Sequence, residues 1–135
     1  MAIAKSGVYE EEVGGKLRRL VLRNGEIERF EAEHDLGIFE LWDQLFGKVS
    51  RGPQVRHVRD LVALALVGGG MSDRAADEIV ADLPPSENMR LRQIAQRVLG
   101  VAFIPAVLEA DKKKEAGSPG AQSGPEPTTA PGSGF

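Results

Sequence analysis

The sequence contains no cysteine, which removes disulfides, thiolate metal sites and cysteine nucleophiles from consideration. Aromatic residues are scarce, with one tryptophan, one tyrosine and five phenylalanines in 135 residues. A basic excess is also lacking: 17 Lys+Arg stand against 20 Asp+Glu, for a net charge of −3. Nucleic-acid-binding domains usually carry a basic excess or a basic face. The one basic run here, residues 112–114, is flanked by Asp111 and Glu115. The longest all-apolar run, residues 61–67, falls far short of the ~18 residues that a membrane span needs. The opening MAIAKSG has no apolar signal-peptide core, so a cytoplasmic site of action is expected. Recognisable catalytic and phosphate-loop signatures are missing as well. Gly68-Gly69-Gly70 lacks the GKS/GKT ending and follows a helical pattern rather than a strand, and no serine stands on a nucleophile-elbow pattern.

What is present is organised around residues 56–83, RHVRDLVALALVGGGMSDRAADEIVADL. Val55, Val58, Leu61, Val62, Ala65 and Leu66 recur at i, i+3, i+4, i+7 spacing, the mark of one helical face. Residues 61–67 are apolar all round, which predicts a core helix buried on more than one side. The three glycines are expected to stop it by supplying a left-handed C′ position. Ser72 can then cap a second helix, with Asp73 in its first turn, where the helix dipole favours an anion.

The flanking segments read as follows. Residues 5–13 and 16–23 are two strand-like runs around Gly14-Gly15, a hairpin pattern with Glu10–Glu12 opposite Arg18 and Arg19. A lone hairpin is marginal in water, so it must pack on the helices or gain strands from another copy. Asn24 is a good N-cap for a helix containing Glu26, Ile27, Glu28 and Phe30. Gly37 breaks that pattern. A short helix over residues 38–46 follows, with Ile38, Leu41, Trp42 and Leu45 at helical spacing and Phe39 and Phe46 on its flank. After the central unit, Leu83-Pro84-Pro85 ends the acidic helix, and Ser86 can cap a last helix. Met89, Ile94, Val98, Val101 and Ala102 form that helix's apolar stripe, joined by Leu91, Leu99 and Phe103, up to Pro105. Residues 116–135 are dominated by Gly, Pro, Ser and Thr and cannot bury enough apolar surface to order themselves. The predicted fold class is therefore α+β, mainly α. An N-terminal β-hairpin precedes a bundle of about five helices in a domain over residues 1–110, and residues 111–135 form a disordered tail.

Candidate sites are few. His34 and His57 lie in different helices with no second ligand set at metal spacing, so no metal or cofactor is assigned and structural or surface roles are expected. The carboxylates at positions 10–12, 26, 28, 31 and 33 read as a solvated acidic face rather than an acid–base pair. The helix–GGG–helix unit also fits a helix-turn-helix. Its second helix would then be the recognition helix, and Asp73, Asp77, Glu78 and Asp82 against Arg74 would repel phosphates. Trp42 on so apolar a helix reads first as core. The alternative is an exposed anchor at a protein interface, where tryptophan is enriched.

Two segments, FEAEHDLGIFEL and LVGGGMSDRAADEIV, with the hairpin before them and the arginine-bearing apolar helix after, resemble the tail assembly chaperone family of gene transfer agents and related siphophages. The resemblance spans about residues 7–103. It implies a non-enzymatic role. Such chaperones bind the apolar, helical tape measure protein and hold it in solution while tail tube subunits polymerise around it. They act in the host cytoplasm, and the finished particle lacks them. Phe39, Trp42 and Phe46 are the residues expected to carry partner binding, with self-association as a further expectation. A small helix-turn-helix regulator of DNA is the alternative.

Overall fold

The computed structural model describes strand Ala2–Ile3 and residues 8–105. The residues predicted to form the tail lie outside this range. Three strands come first: β1 (Ala2–Ile3), β2 (Tyr9–Val13) and β3 (Lys16–Leu20). Five α-helices follow: α1 (Asn24–His34), α2 (Ile38–Leu45), α3 (Val55–Gly68), α4 (Asp73–Ala81) and α5 (Asn88–Phe103), with a single 3-10 turn, Pro85–Glu87, before the last. The α+β, mainly helical architecture expected from the sequence is what forms.

The hairpin turn is Gly14-Gly15, with φ of +65° and +86°. Positive φ at both turn positions suits the right-handed twist of the flanking strands. The register sets Glu10 opposite Arg19 and Glu11 opposite Arg18, as charge patterning predicts. The side chains nevertheless bond elsewhere. Arg18 Nε donates to the Val13 carbonyl at 2.9 Å, and Glu11 accepts from Arg90 of α5 at 3.1 Å and from the Tyr9 hydroxyl. One strand was not foreseen: β1 pairs antiparallel with β2, Ala2 opposite Glu10 and Ile3 opposite Tyr9, giving the sheet order β1-β2-β3.

Helix α3 is the hub, as its all-apolar run implies. It packs against α1, α4, α5 and β3, and every residue from Leu61 to Leu66 is buried. The glycines after it do more than stop it. Gly69, at the C-cap, has φ of −80°, in the right-handed region, and only Gly70 takes a positive φ, +117°. Gly68 and Gly69 are required by close approach. A Cβ at Gly68 would stand 1.9 Å from the Val21 carbonyl oxygen, and one at Gly69 would stand 2.2 Å from that of Arg19. The end of α3 is thus pressed onto the backbone of β3 and the residue following it, where Val21 N–H donates to the Ala65 carbonyl at 2.9 Å.

Several caps differ from expectation. The N-cap position of α1 is Arg23, not Asn24; Glu26 reaches back to accept from Arg23 N–H at 2.9 Å. The left-handed residue ending α1 is Asp35, φ +48°; Gly37, which breaks the pattern as read, is the N-cap of α2. Ser86 lies in the 3-10 turn and caps nothing, whereas Ser72 caps α4 as predicted, accepting from Ala75 N–H at 3.2 Å. Arg59 ties α3 to the next two elements. Its guanidinium donates to Asn88 Oδ1 at 2.7 Å, to the Leu83 carbonyl at 2.8 Å and to the Val80 carbonyl.

Candidate protein-binding surface

Helix α2 buries Ile38, Leu41 and Leu45 in the core. Shifting that i, i+3, i+7 set by one residue gives Phe39, Trp42 and Phe46, one helical step of ~100° around the axis. These three line the neighbouring face. Phe39 is 73% exposed, Phe46 is 38% exposed and Trp42 is half-buried. Phe103, at the end of α5, completes the group. Its ring centroid lies 5.5 Å from that of Phe39 and 5.4 Å from that of Trp42, the latter pair stacked within 9° of parallel. Trp42 and Phe46 are 4.4 Å apart. Four of the seven aromatic residues of this chain therefore form one strip at the surface, and the exposed Ile104 follows Phe103 directly.

The strip stands on a well-anchored helix. At its start, Ile38 N–H donates to the Glu31 carboxylate at 2.9 Å; at its end, Gln96 Nε2 of α5 donates to the Leu45 carbonyl at 2.6 Å. Rigid aromatic anchors lose little conformational entropy on binding, and an apolar strip of this kind suits the apolar face of an amphipathic helix. Glu40, exposed, and Asp43, half-buried, share the helix with it.

A second group lies where α1 meets α3. His34 Nε2 and Asp60 Oδ2 are 2.7 Å apart. The His57 ring sits edge-to-face with that of His34, centroids 4.8 Å apart, and is packed against Phe30. His57 is only 6% exposed and its Nε2 has no hydrogen-bond partner. Burial holds its imidazole below the ordinary histidine range, reinforced by the charges of His34 and Arg56. A hydrogen bond to Asp60 raises the Glu33 carboxyl, with burial and the Asp60 charge acting in the same direction. Glu33, His34 and Asp60 border an open cleft of about 400 Å³ that Arg56, Arg59, Asp77, Val80 and Ala81 also line.

A family model described as "Phage tail tube protein, GTA-gp10" matches residues 6–104. The chain belongs to this family. The match takes in both surfaces just described and nearly all of the described fold. The phage tail and gene-transfer-agent setting inferred from the sequence is therefore correct, while the family description names the tail tube rather than an assembly chaperone. Comparison with curated proteins and with solved structures yields no significant match. Among the described residues no helix is long and apolar enough to cross a membrane.

For this tail-family protein, Phe39, Trp42 and Phe46 do come together. Phe103 joins them from 57 residues beyond Phe46, a partnership that no helical period within α2 signals. Leu91 and Val98 of α5, both parts of the predicted stripe, are fully in the core, whereas Met89 points out to solvent. The acidic half is less solvated than expected. Glu26 is buried and bonds Arg23, Glu31 holds the start of α2, and Glu11 pairs with Arg90. Asp60, one turn after His57, was not singled out from the sequence, because its tie to His34 spans 26 residues. On α4, Asp73, Asp77 and Glu78 are exposed and Arg74 is held by Glu78 at 3.2 Å. That acidic face opposes entry of α4 into a DNA groove.

Proposed function

We propose that this protein is a non-enzymatic tail assembly chaperone. It binds the tape measure protein through the Phe39–Trp42–Phe46–Phe103 strip and keeps it soluble in the host cytoplasm while tail tube subunits assemble. The observation that supports this reading is the strip itself. Four of the chain's few aromatics stand side by side where α2 meets α5, Phe39 and Phe46 exposed and Trp42 and Phe103 half-buried against the core, and α2 is pinned at both ends. The apolar face of a long client helix is the chemistry such a strip complements. Net negative charge, −3 over the chain, helps keep a complex with an apolar client soluble. Single contacts need only modest affinity, since several copies along one client reinforce one another if they also touch, and the tube must finally displace them.

The family description supplies a second reading, in which the protein is itself a tube component. Particle composition separates the two. A chaperone is depleted from purified tails and abundant in the lysate; a tube component is present in many copies per particle. Quantitative mass spectrometry of purified particles decides between them, and stoichiometric retention in the tail would overturn the chaperone reading. The client assignment is tested by co-expression with the tape measure protein, developed below.

A further inference from the structure

Glu33, His34 and Asp60 have no part in the proposed client contact, yet the fold gathers them at the edge of one cleft. Glu33, His34 and Asp60 each offer a ligand atom, and all three atoms lie within 4.8 Å of one another. We propose that Glu33, His34 and Asp60 form a binding site for one divalent first-row metal ion of the zinc class.

Four observations carry the proposal. First, one imidazole with two carboxylates is a donor set that borderline divalent ions accept, with a position left for water. Around such an ion, at bond lengths of ~2.0–2.2 Å, ligand atoms stand roughly 3.3 Å apart. The widest pair must therefore close by about 1.5 Å at most from the 4.8 Å span, while His34 Nε2 and Asp60 Oδ2, 2.7 Å apart, must open by about 0.6 Å; Glu33, exposed at the last turn of α1, has room to move. Secondly, the His57 Nε2 is a buried polar atom without a partner, on a ring 4.8 Å from that of His34. His57 and Asp60 are three residues apart on α3, hence on one helical face. An orphaned buried imidazole nitrogen is costly unless it serves a ligand or water, and this one belongs to the ring that meets His34 edge-to-face.

Thirdly, the nearby arginines do not hold the carboxylates closely, so an ion would compete only with the bonds that Asp60 makes to His34 and Glu33. Arg59 is taken up by the Leu83 and Val80 carbonyls and Asn88, Arg56 bonds Gln54, and Arg29 bonds Asp73 at 3.0 Å. Arg29 approaches Glu33 only to 4.0 Å. Fourthly, the cleft beside the group, about 400 Å³ and open to solvent, gives a hydrated ion a way in. The ion would bridge the end of α1 to the middle of α3, and its binding does not depend on the client assignment.

The test uses untagged full-length protein stripped with a chelator, then titrated with cobalt(II) chloride and followed by visible absorption and calorimetry, with zinc as competitor. The expected result is one ion per chain, displaced by zinc. Affinity should fall at least about ten-fold in Glu33→Gln and about a hundred-fold in Asp60→Asn, with unchanged far-UV circular dichroism and an unaffected Phe39→Ala control. If Asp60→Asn fails to fold, Glu33→Gln, altered at the surface, decides alone. Absence of saturable binding up to millimolar cobalt overturns the proposal, as does affinity that both substitutions leave intact.

Discussion

Replacing Gly68 by alanine reverses the sign that helix propensity alone would give. Gly68 is the last residue of α3, and a helical Gly→Ala change ordinarily stabilises by up to ~1 kcal/mol. Here the new methyl would stand 1.9 Å from the Val21 carbonyl oxygen and 2.9 Å from its carbon, both backbone atoms with no rotamer to yield. Reaching even 3.0 Å from that oxygen means parting the strand and helix by about 1 Å. The Val21 N–H···O=C Ala65 bond, 2.9 Å long, sits beside this contact and would be strained or lost. Orphaning a buried backbone group costs ~1–3 kcal/mol, and overpacking adds ~1–3 kcal/mol. After the propensity gain is subtracted, the net loss is ~1–5 kcal/mol. At ~4–8 °C per kcal/mol for a domain of this size, the melting temperature should fall by at least about 4 °C. Gly100, in the last turn of α5 with nothing within 4 Å of a Cβ, is the internal control: Gly100→Ala should stabilise by ~0.5–1 kcal/mol. Urea unfolding followed by circular dichroism measures both. A neutral or stabilising Gly68→Ala would refute the account of how the hairpin docks on α3.

Two further outcomes follow from the core and the sheet. Leu64, 3% exposed in the middle of α3, should not tolerate aspartate; an unpaired buried charge exceeds the margin of a small domain, and a folded, soluble Leu64→Asp variant would contradict the central place of α3. Burial, then the hydrogen bond to Glu11 and its charge, raise the Tyr9 phenol above its ordinary value of 10.0. The unfolded chain ionises first, so stability is intact below about pH 10 and falls as pH rises beyond it, by up to ~1.4 kcal/mol per unit. Urea midpoints between pH 8 and 11 should show this fall in the wild type and a shallower one in Tyr9→Phe.

Much of the architecture was legible in the sequence because it rests on local pattern. The apolar periodicity of residues 55–66, the Gly14-Gly15 hairpin and the Ser72 cap each declare themselves within a few residues, and each forms as read. Some errors are local, as at the Arg23 cap and the Glu26 and Glu31 bonds, but the larger ones come from contact between segments remote in sequence. Gly68 and Gly69 look like helix terminators because the carbonyls they accommodate, those of Val21 and Arg19, come from the hairpin. Glu11, Glu26 and Glu31 look like a solvated face because charge is easily counted while their partners are not. The same limit governs the surfaces. Phe39, Trp42 and Phe46 could be grouped from their helical spacing, but Phe103 joins them only through the packing of α5 on α2. His34, His57 and Asp60 likewise become neighbours only when α1 lies across α3.

The central claim, that the aromatic strip holds an apolar helical client, is tested most directly by co-expression with the tape measure protein, reading its soluble fraction against chaperone ratio. Phe39 is largely exposed, so Phe39→Ala together with Phe103→Ala can strip the surface while α2 keeps its core contacts through Ile38, Leu41 and Leu45. The account predicts that the wild type keeps the client soluble and that the double variant, folded as judged by circular dichroism, loses most of that effect. A client that aggregates equally with the wild type at every ratio, or that the double variant keeps soluble just as well, would contradict it.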